Sequence, residues 1–241
     1  MKVFLIVIFI ATNCIVNSYA SYQDNIYNAF INDKLDLWRK TLDEINSQKE
    51  LTNQQMLEAI NFHYGYIAWC IGNKKNDIAE KYLKIACSYI EKLEKKSYQL
   101  SYIYSYKAVF IGFEIGLASY KAPIIGIKSF DYINAAIKAD PNNFFAYHQQ
   151  GNMYFYLPSI LGGSKKKAIE YYQKAIQLIE TDKTKTTKNW NYLSLLVAYA
   201  QAYCEIGKYD VAKKIYEKIL KIEPNFYWVK NVLYPEILKK T

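Results

Sequence analysis

The side chains of this 241-residue chain best suited to covalent or metal chemistry are two histidines, His63 and His148, and four cysteines, Cys14, Cys70, Cys87 and Cys204. A metal site needs several ligands at short spacings, and a nucleophile needs a base beside it. Neither histidine has a cysteine or carboxylate at such a spacing, and His148 is followed by the neutral Gln149, Gln150 and Asn152. No Gly-x-Gly-x-x-Gly, Gly-x-Ser-x-Gly or His-Glu-x-x-His run occurs. Paired carboxylates such as Asp43 and Glu44 read as solvated charge on a helix. The sequence therefore predicts no catalytic residue, no metal site and no cofactor, and a protein that binds and is not an enzyme. Cys70 and Cys87 fall on facing helices, where a disulfide and two small buried side chains both remain open.

Charge narrows the partner. Lysine and arginine total 31 against 22 acidic residues, for a net charge of +9, yet Arg39 is the single arginine. Readers of nucleic acid favour arginine's planar fork, so a nucleic-acid partner is not expected. The segment TDKTKTTK (181 to 188) reads as a solvated loop. GGSKKK (162 to 167) reads as a turn with Ser164 capping the next helix, an anion site being the alternative.

The N-terminus reads as a targeting segment. Lys2 precedes an apolar run over residues 3 to 16, and Ser18-Tyr19-Ala20 offers a cleavage site after Ala20. The run is shorter than a spanning helix and is interrupted by Thr12 and Asn13. Residues 1–20 are thus expected to be a signal peptide. Residues 21–241 then form one exported domain, periplasmic or secreted, with no transmembrane segment in the mature chain. A lipoprotein anchored at Cys14 is disfavoured by Asn13 before it.

The elements that would position a site come from a recurring helical pattern. Four stretches begin on a small residue, Ala79, Ser129, Ala168 and Ala212. Four places later each has a large one: Leu83, Ile133, Tyr172 and Tyr216. Seven and eight places on come Ala86–Cys87, Ala136–Ile137, Ala175–Ile176 and Ile219–Leu220. This spacing puts all of them on one helix face. A partner helix precedes each, with a small residue at Gly112, Gly151 or Ala200. The extra residues of the second and third units fall near Pro123 and Pro158, predicting longer turns.

On these residues the chain resembles a tetratricopeptide repeat protein. The last unit matches best, with Leu196, Tyr199, Ala200, Tyr203, Gly207, Tyr209, Ala212, Tyr216 and Pro224 in the family's order. The resemblance implies an all-α, right-handed superhelical solenoid of antiparallel helix pairs. Its units fall at about 60–93, 105–142, 144–180 and 193–226, with caps at 24–47 and 226–239. It also implies that the first helix of each unit lines a concave face that binds a partner. Counted from the small residues, that face holds Tyr106, Phe113, Phe145, His148, Asn152, Phe155, Tyr156, Gln201 and Glu205. It is aromatic with a few amides and suits a protein or peptide. The expected function is an exported interaction scaffold. The alternative is an apolar small-molecule or substrate-binding accessory of a transport system, since the paired Gly162–Gly163 turn is similar to turns in exported repeat proteins of that kind.

Overall fold

Small residues recurring on one helix face let two helices approach, and in the structure they do so at four seams. The computed structural model describes residues 21–241, so the expected signal peptide lies outside the described residues. Among the described residues all regular structure is helical. After α1 (21–31) and α2 (Leu35–Asn46) come four antiparallel pairs. These are α3 (Asn53–Gly72) with α4 (Asn76–Glu94), α5 (Leu100–Leu117) with α6 (Ala122–Ala139), α7 (Phe144–Tyr156) with α8 (Lys165–Ile179), and α9 (Trp190–Glu205) with α10 (Tyr209–Ile222). A π-helical turn at Val229–Leu233 and α11 (Tyr234–Leu238) follow.

The pairing residues are buried as their spacing requires. Ala79, Ser129, Ala168 and Ala212 are all buried, and so are Leu83, Ile133, Tyr172 and Tyr216 four places on. Local signals set the helix starts. Thr52 and Gln55 form a reciprocal capping box at α3, and Ser164 accepts from the Lys167 amide at the start of α8. Ser164 is therefore an ordinary cap. The turn before it needs glycine, because a Cβ on Gly163 would run into the Leu157 carbonyl.

Three expectations change. Gly112 is exposed with open space around it, so it marks no seam. Ala108 does instead: it is buried, and its carbonyl accepts from the Ser129 hydroxyl at 2.8 Å. The inserted residues of this pair do not lengthen the turn either. α7 and α9 end five residues past their small residues, and α8 and α10 start three before theirs. α5 ends nine past Ala108, and α6 starts seven before Ser129 with Pro123 in its first turn. Each helix of this hairpin is thus longer by four residues, or about 6 Å of rise. Finally, residues 24–47 are not one helix. The chain breaks at 32–34, with Asp33 at φ 55°, before α2 begins.

The first helices of the pairs lie side by side, α3 on α5, α5 on α7 and α7 on α9. The N-terminal helices then reach the far end of this row. Phe30 of α1 packs on Trp190 and Phe226 with ring centroids 5.7 and 4.9 Å apart, and Trp38 of α2 meets Trp190 at 5.2 Å. The Tyr27 hydroxyl donates to Glu223 at 2.8 Å, and Lys188 pairs with Asp24 at 3.0 Å. The two indoles press on α3 at Gly65, where a Cβ would lie 2.6 to 2.8 Å from their ring atoms.

Candidate binding face

The row formed by the first helices of the pairs is sealed along one half and accessible along the other. The sealed half holds Tyr106, Phe145 and His148, each no more than 3% exposed. Tyr64 of α3 fills the space between them, with its ring 6.3 Å from Tyr106 and 5.4 Å from Phe145. Asn61 accepts from the hydroxyl of Tyr106 at 3.0 Å and from the Asn191 amide at 2.8 Å, tying α3 to α5 and α9. These three predicted partner-binding residues therefore lie in the core. Aromatic side chains from α2 and α3 occupy the place that the repeat pattern alone leaves to a partner.

The accessible half lies toward the C-terminal ends of α5, α7 and α9. There Phe113, Asn152, Phe155 and Gln201 are part-exposed, and Tyr156 and Glu205 are exposed. Phe113 stacks on Tyr64 at 5.8 Å and 11°. Phe155 and Tyr156 meet edge to face at 4.9 Å. The ammonium of Lys165 lies 3.7 Å from the Phe155 ring centroid and donates to the Phe155 carbonyl, which sets a cation at the edge of an aromatic surface.

A hydrogen-bonded chain fixes this half from behind. The Tyr172 hydroxyl donates to Asn152 Oδ1 at 2.8 Å, Asn152 Nδ2 donates to Gln149 Oε1 at 3.0 Å, and Gln149 Nε2 donates to the Tyr64 oxygen at 3.1 Å. Burial pushes the Tyr64 phenol up to about 12 and the Tyr172 phenol well above its usual range, so both stay protonated. Both polar ends of the Asn152 amide are already engaged in this chain.

The histidines do not face the accessible surface. Desolvation lowers His148 to about 3 and His63 to about 4, the latter partly offset by its bond to the Ala59 carbonyl. Both are neutral imidazoles in the core at physiological pH. Cys70, Cys87 and Cys204 are free thiols in the structure. Burial raises all three thiols, Cys87 to about 11 with help from Glu114 and Glu91. Two surface concavities of about 500 and 590 Å3 lie elsewhere, with charged walls. One is on α2 between Asp36 and Glu44, the other lies between Tyr27 and Lys218.

Sequence reasoning passed over the surface beside the accessible half. Tyr120, Ile124 and Ile127 at the tip of the α5–α6 hairpin, and Tyr156, Ile160 and Leu161 at the α7–α8 turn, are 65 to 92% exposed. The signal was present as aliphatic residues in the α7–α8 turn and in the first two turns of α6 beside Pro123, where polar ones are usual.

No protein-family model matches the chain, and no curated protein matches it. Among solved structures the fold is similar to that of the HusA haemophore from Porphyromonas gingivalis. The TM-score is 0.59 at 18% identity, over 78% of this chain and 94% of that one. The likeness is one of fold: an all-helical chain with neighbouring helices packed in pairs.

Proposed function

We propose that the protein is an exported binder of an apolar, carboxylate-bearing small molecule, with a tetrapyrrole such as haem as the leading ligand class. The observation that carries this reading is the accessible half of the inner face. There Phe113, Phe155 and Tyr156 present ring surface, and the Lys165 ammonium stands over one of the rings. A flat apolar ring system stacks on such a surface while a carboxylate pairs with the lysine. The haemophore likeness in fold supports the same class. With both histidines in the core, a haem held here would be gripped by its ring and its carboxylates, and the exposed Tyr156 would offer a phenol oxygen as ligand.

The reading is one of binding and not of catalysis, on a tetratricopeptide-like row of hairpins, in an exported protein whose leader is cut after Ala20. A peptide scaffold is the second reading. It is favoured by the accessible amide of Gln201 and weakened by Asn152, whose amide is committed to Tyr172 and Gln149.

Titration with haem, followed by the Soret band and by quenching of tryptophan emission, tests the proposal. Saturable binding is expected, weakened at least tenfold in Phe155→Ala/Tyr156→Ala and several-fold in Lys165→Gln. Absence of saturable binding by the wild type removes the tetrapyrrole. Equal affinity in the double variant removes the site.

A further inference from the structure

The lengthened α5–α6 hairpin carries its extra turn outward, and that turn is apolar. Tyr120, Ile124 and Ile127 are 74 to 77% exposed at its tip. The α7–α8 turn stands beside it, because the first half of α6 packs against the last half of α7. The Ser129 hydroxyl lies 3.8 Å from the Met153 sulfur, and the rings of Phe130 and Tyr154 are 6.3 Å apart. That second turn exposes Ile160 at 92% and Leu161 at 65%. Two neighbouring tips therefore hold four aliphatic side chains in water, with tyrosines beside them.

Along the chain, the charges carried by the two tip segments have one sign. Between Glu114 and Asp131 the chain has Lys121 and Lys128 and no carboxylate. Between Met153 and Glu170 it has Lys165, Lys166 and Lys167 and again no carboxylate. Elsewhere lysines are commonly interleaved with acids, as in EKLEKK at 91 to 96. Aliphatic tips, adjacent tyrosines and a lysine rim without acids match the layered chemistry of an anionic bilayer. Acyl chains take the aliphatics, the interface takes the tyrosines, and the headgroups take the lysines.

We infer that these two tips dock the protein reversibly onto an anionic lipid surface. The docking can be tested apart from the ligand reading: Tyr156 and Lys165 border both surfaces, but Ile124 and Ile160 belong to the tips alone. It places the Phe113–Phe155 surface next to the membrane, where an apolar ligand concentrates.

Sedimentation with vesicles of phosphatidylcholine, with or without phosphatidylglycerol, tests the inference. The protein is expected in the pellet with phosphatidylglycerol vesicles and mostly in the supernatant with phosphatidylcholine alone. Ile124→Glu/Ile160→Glu should lower partitioning by about 100-fold, from the loss of buried apolar area. Lys121→Gln/Lys128→Gln should lower it on the order of tenfold on the anionic vesicles. Both variants change exposed residues, so their circular dichroism should match the wild type. Haem titration without vesicles should be unchanged in Ile124→Glu/Ile160→Glu, which separates this inference from the ligand site. The inference is overturned if the wild type ignores anionic vesicles, or if the glutamate variant pellets as the wild type does. It is equally overturned if the tips instead hold a dimer that the glutamate variant dissociates.

Discussion

Replacing Gly151 by alanine tests the seam on which the third hairpin and the binding face both depend. The added carbon would lie 2.5 Å from both Cδ1 and Cε1 of Tyr172, where ordinary contact begins near 3.4 Å. The ring must therefore retreat by about 0.9 Å. It has little room, since Tyr172 is 1% exposed and its hydroxyl is held by Asn152 at 2.8 Å. Overpacking of this kind costs about 1–3 kcal/mol. Straining the hydrogen bond adds about 0.5–1.5 kcal/mol. Alanine's better helix propensity returns about 1 kcal/mol. The net expectation is a loss of about 0.5–3.5 kcal/mol, read from urea unfolding by far-ultraviolet circular dichroism. The control is Tyr172→Ala, in whose background Gly151→Ala should cost nothing or stabilise slightly. Because Tyr172 anchors Asn152, the same change should also weaken haem binding. A Gly151→Ala protein as stable as the wild type, or a penalty that persists without the Tyr172 ring, would refute the seam.

Other outcomes follow from the same geometry. His63 and His148 titrate near 6.5 when unfolded but are lowered to about 4 and 3 when folded, so the unfolded chain binds more protons between those values and 6.5. Their contribution is complete above pH 6.5 and is lost as pH falls toward 4 and then 3. The loss is about 1.4 kcal/mol per pH unit for each histidine, and urea midpoints at pH 7.5 and 5.5 measure it. Phe30→Ala removes the ring between Trp190 and Phe226 and should cost about 3 kcal/mol, with faster amide exchange in α1 and in the Val229–Leu233 turn. With its thiol raised to about 11, Cys87 should react with iodoacetamide far more slowly at pH 8 than after unfolding, as peptide mass spectrometry would show.

The hairpins were legible because their signal is local. A small residue, a large one four places later and another small one after seven specify a face without reference to the rest of the chain, and Ala79, Ser129 and Ala168 all obey it. Gly112 misled because either glycine or alanine can mark a small-residue seam. The alignment that favours Gly112 hides the four-residue extension that makes Ala108 the true contact. The binding face was half legible. Repeat spacing marks the inward positions but cannot tell which are already filled. Tyr64 covers Tyr106 and Phe145, His148 packs on Phe145 and Tyr172, and Trp38 and Trp190 seal α3 nearby, through contacts spanning up to about 150 residues that no local period encodes.

The bond between the first helix and the last hairpin changes how the molecule can fail. An open-ended stack sheds its terminal unit cheaply and then the next, because each unit leans on one neighbour alone. Here Asp24, Tyr27 and Phe30 clasp Lys188, Glu223 and Phe226, so neither extremity is loose enough to peel first. Melting of the described helices then becomes a single concerted event, because α1 and the last hairpin guard each other.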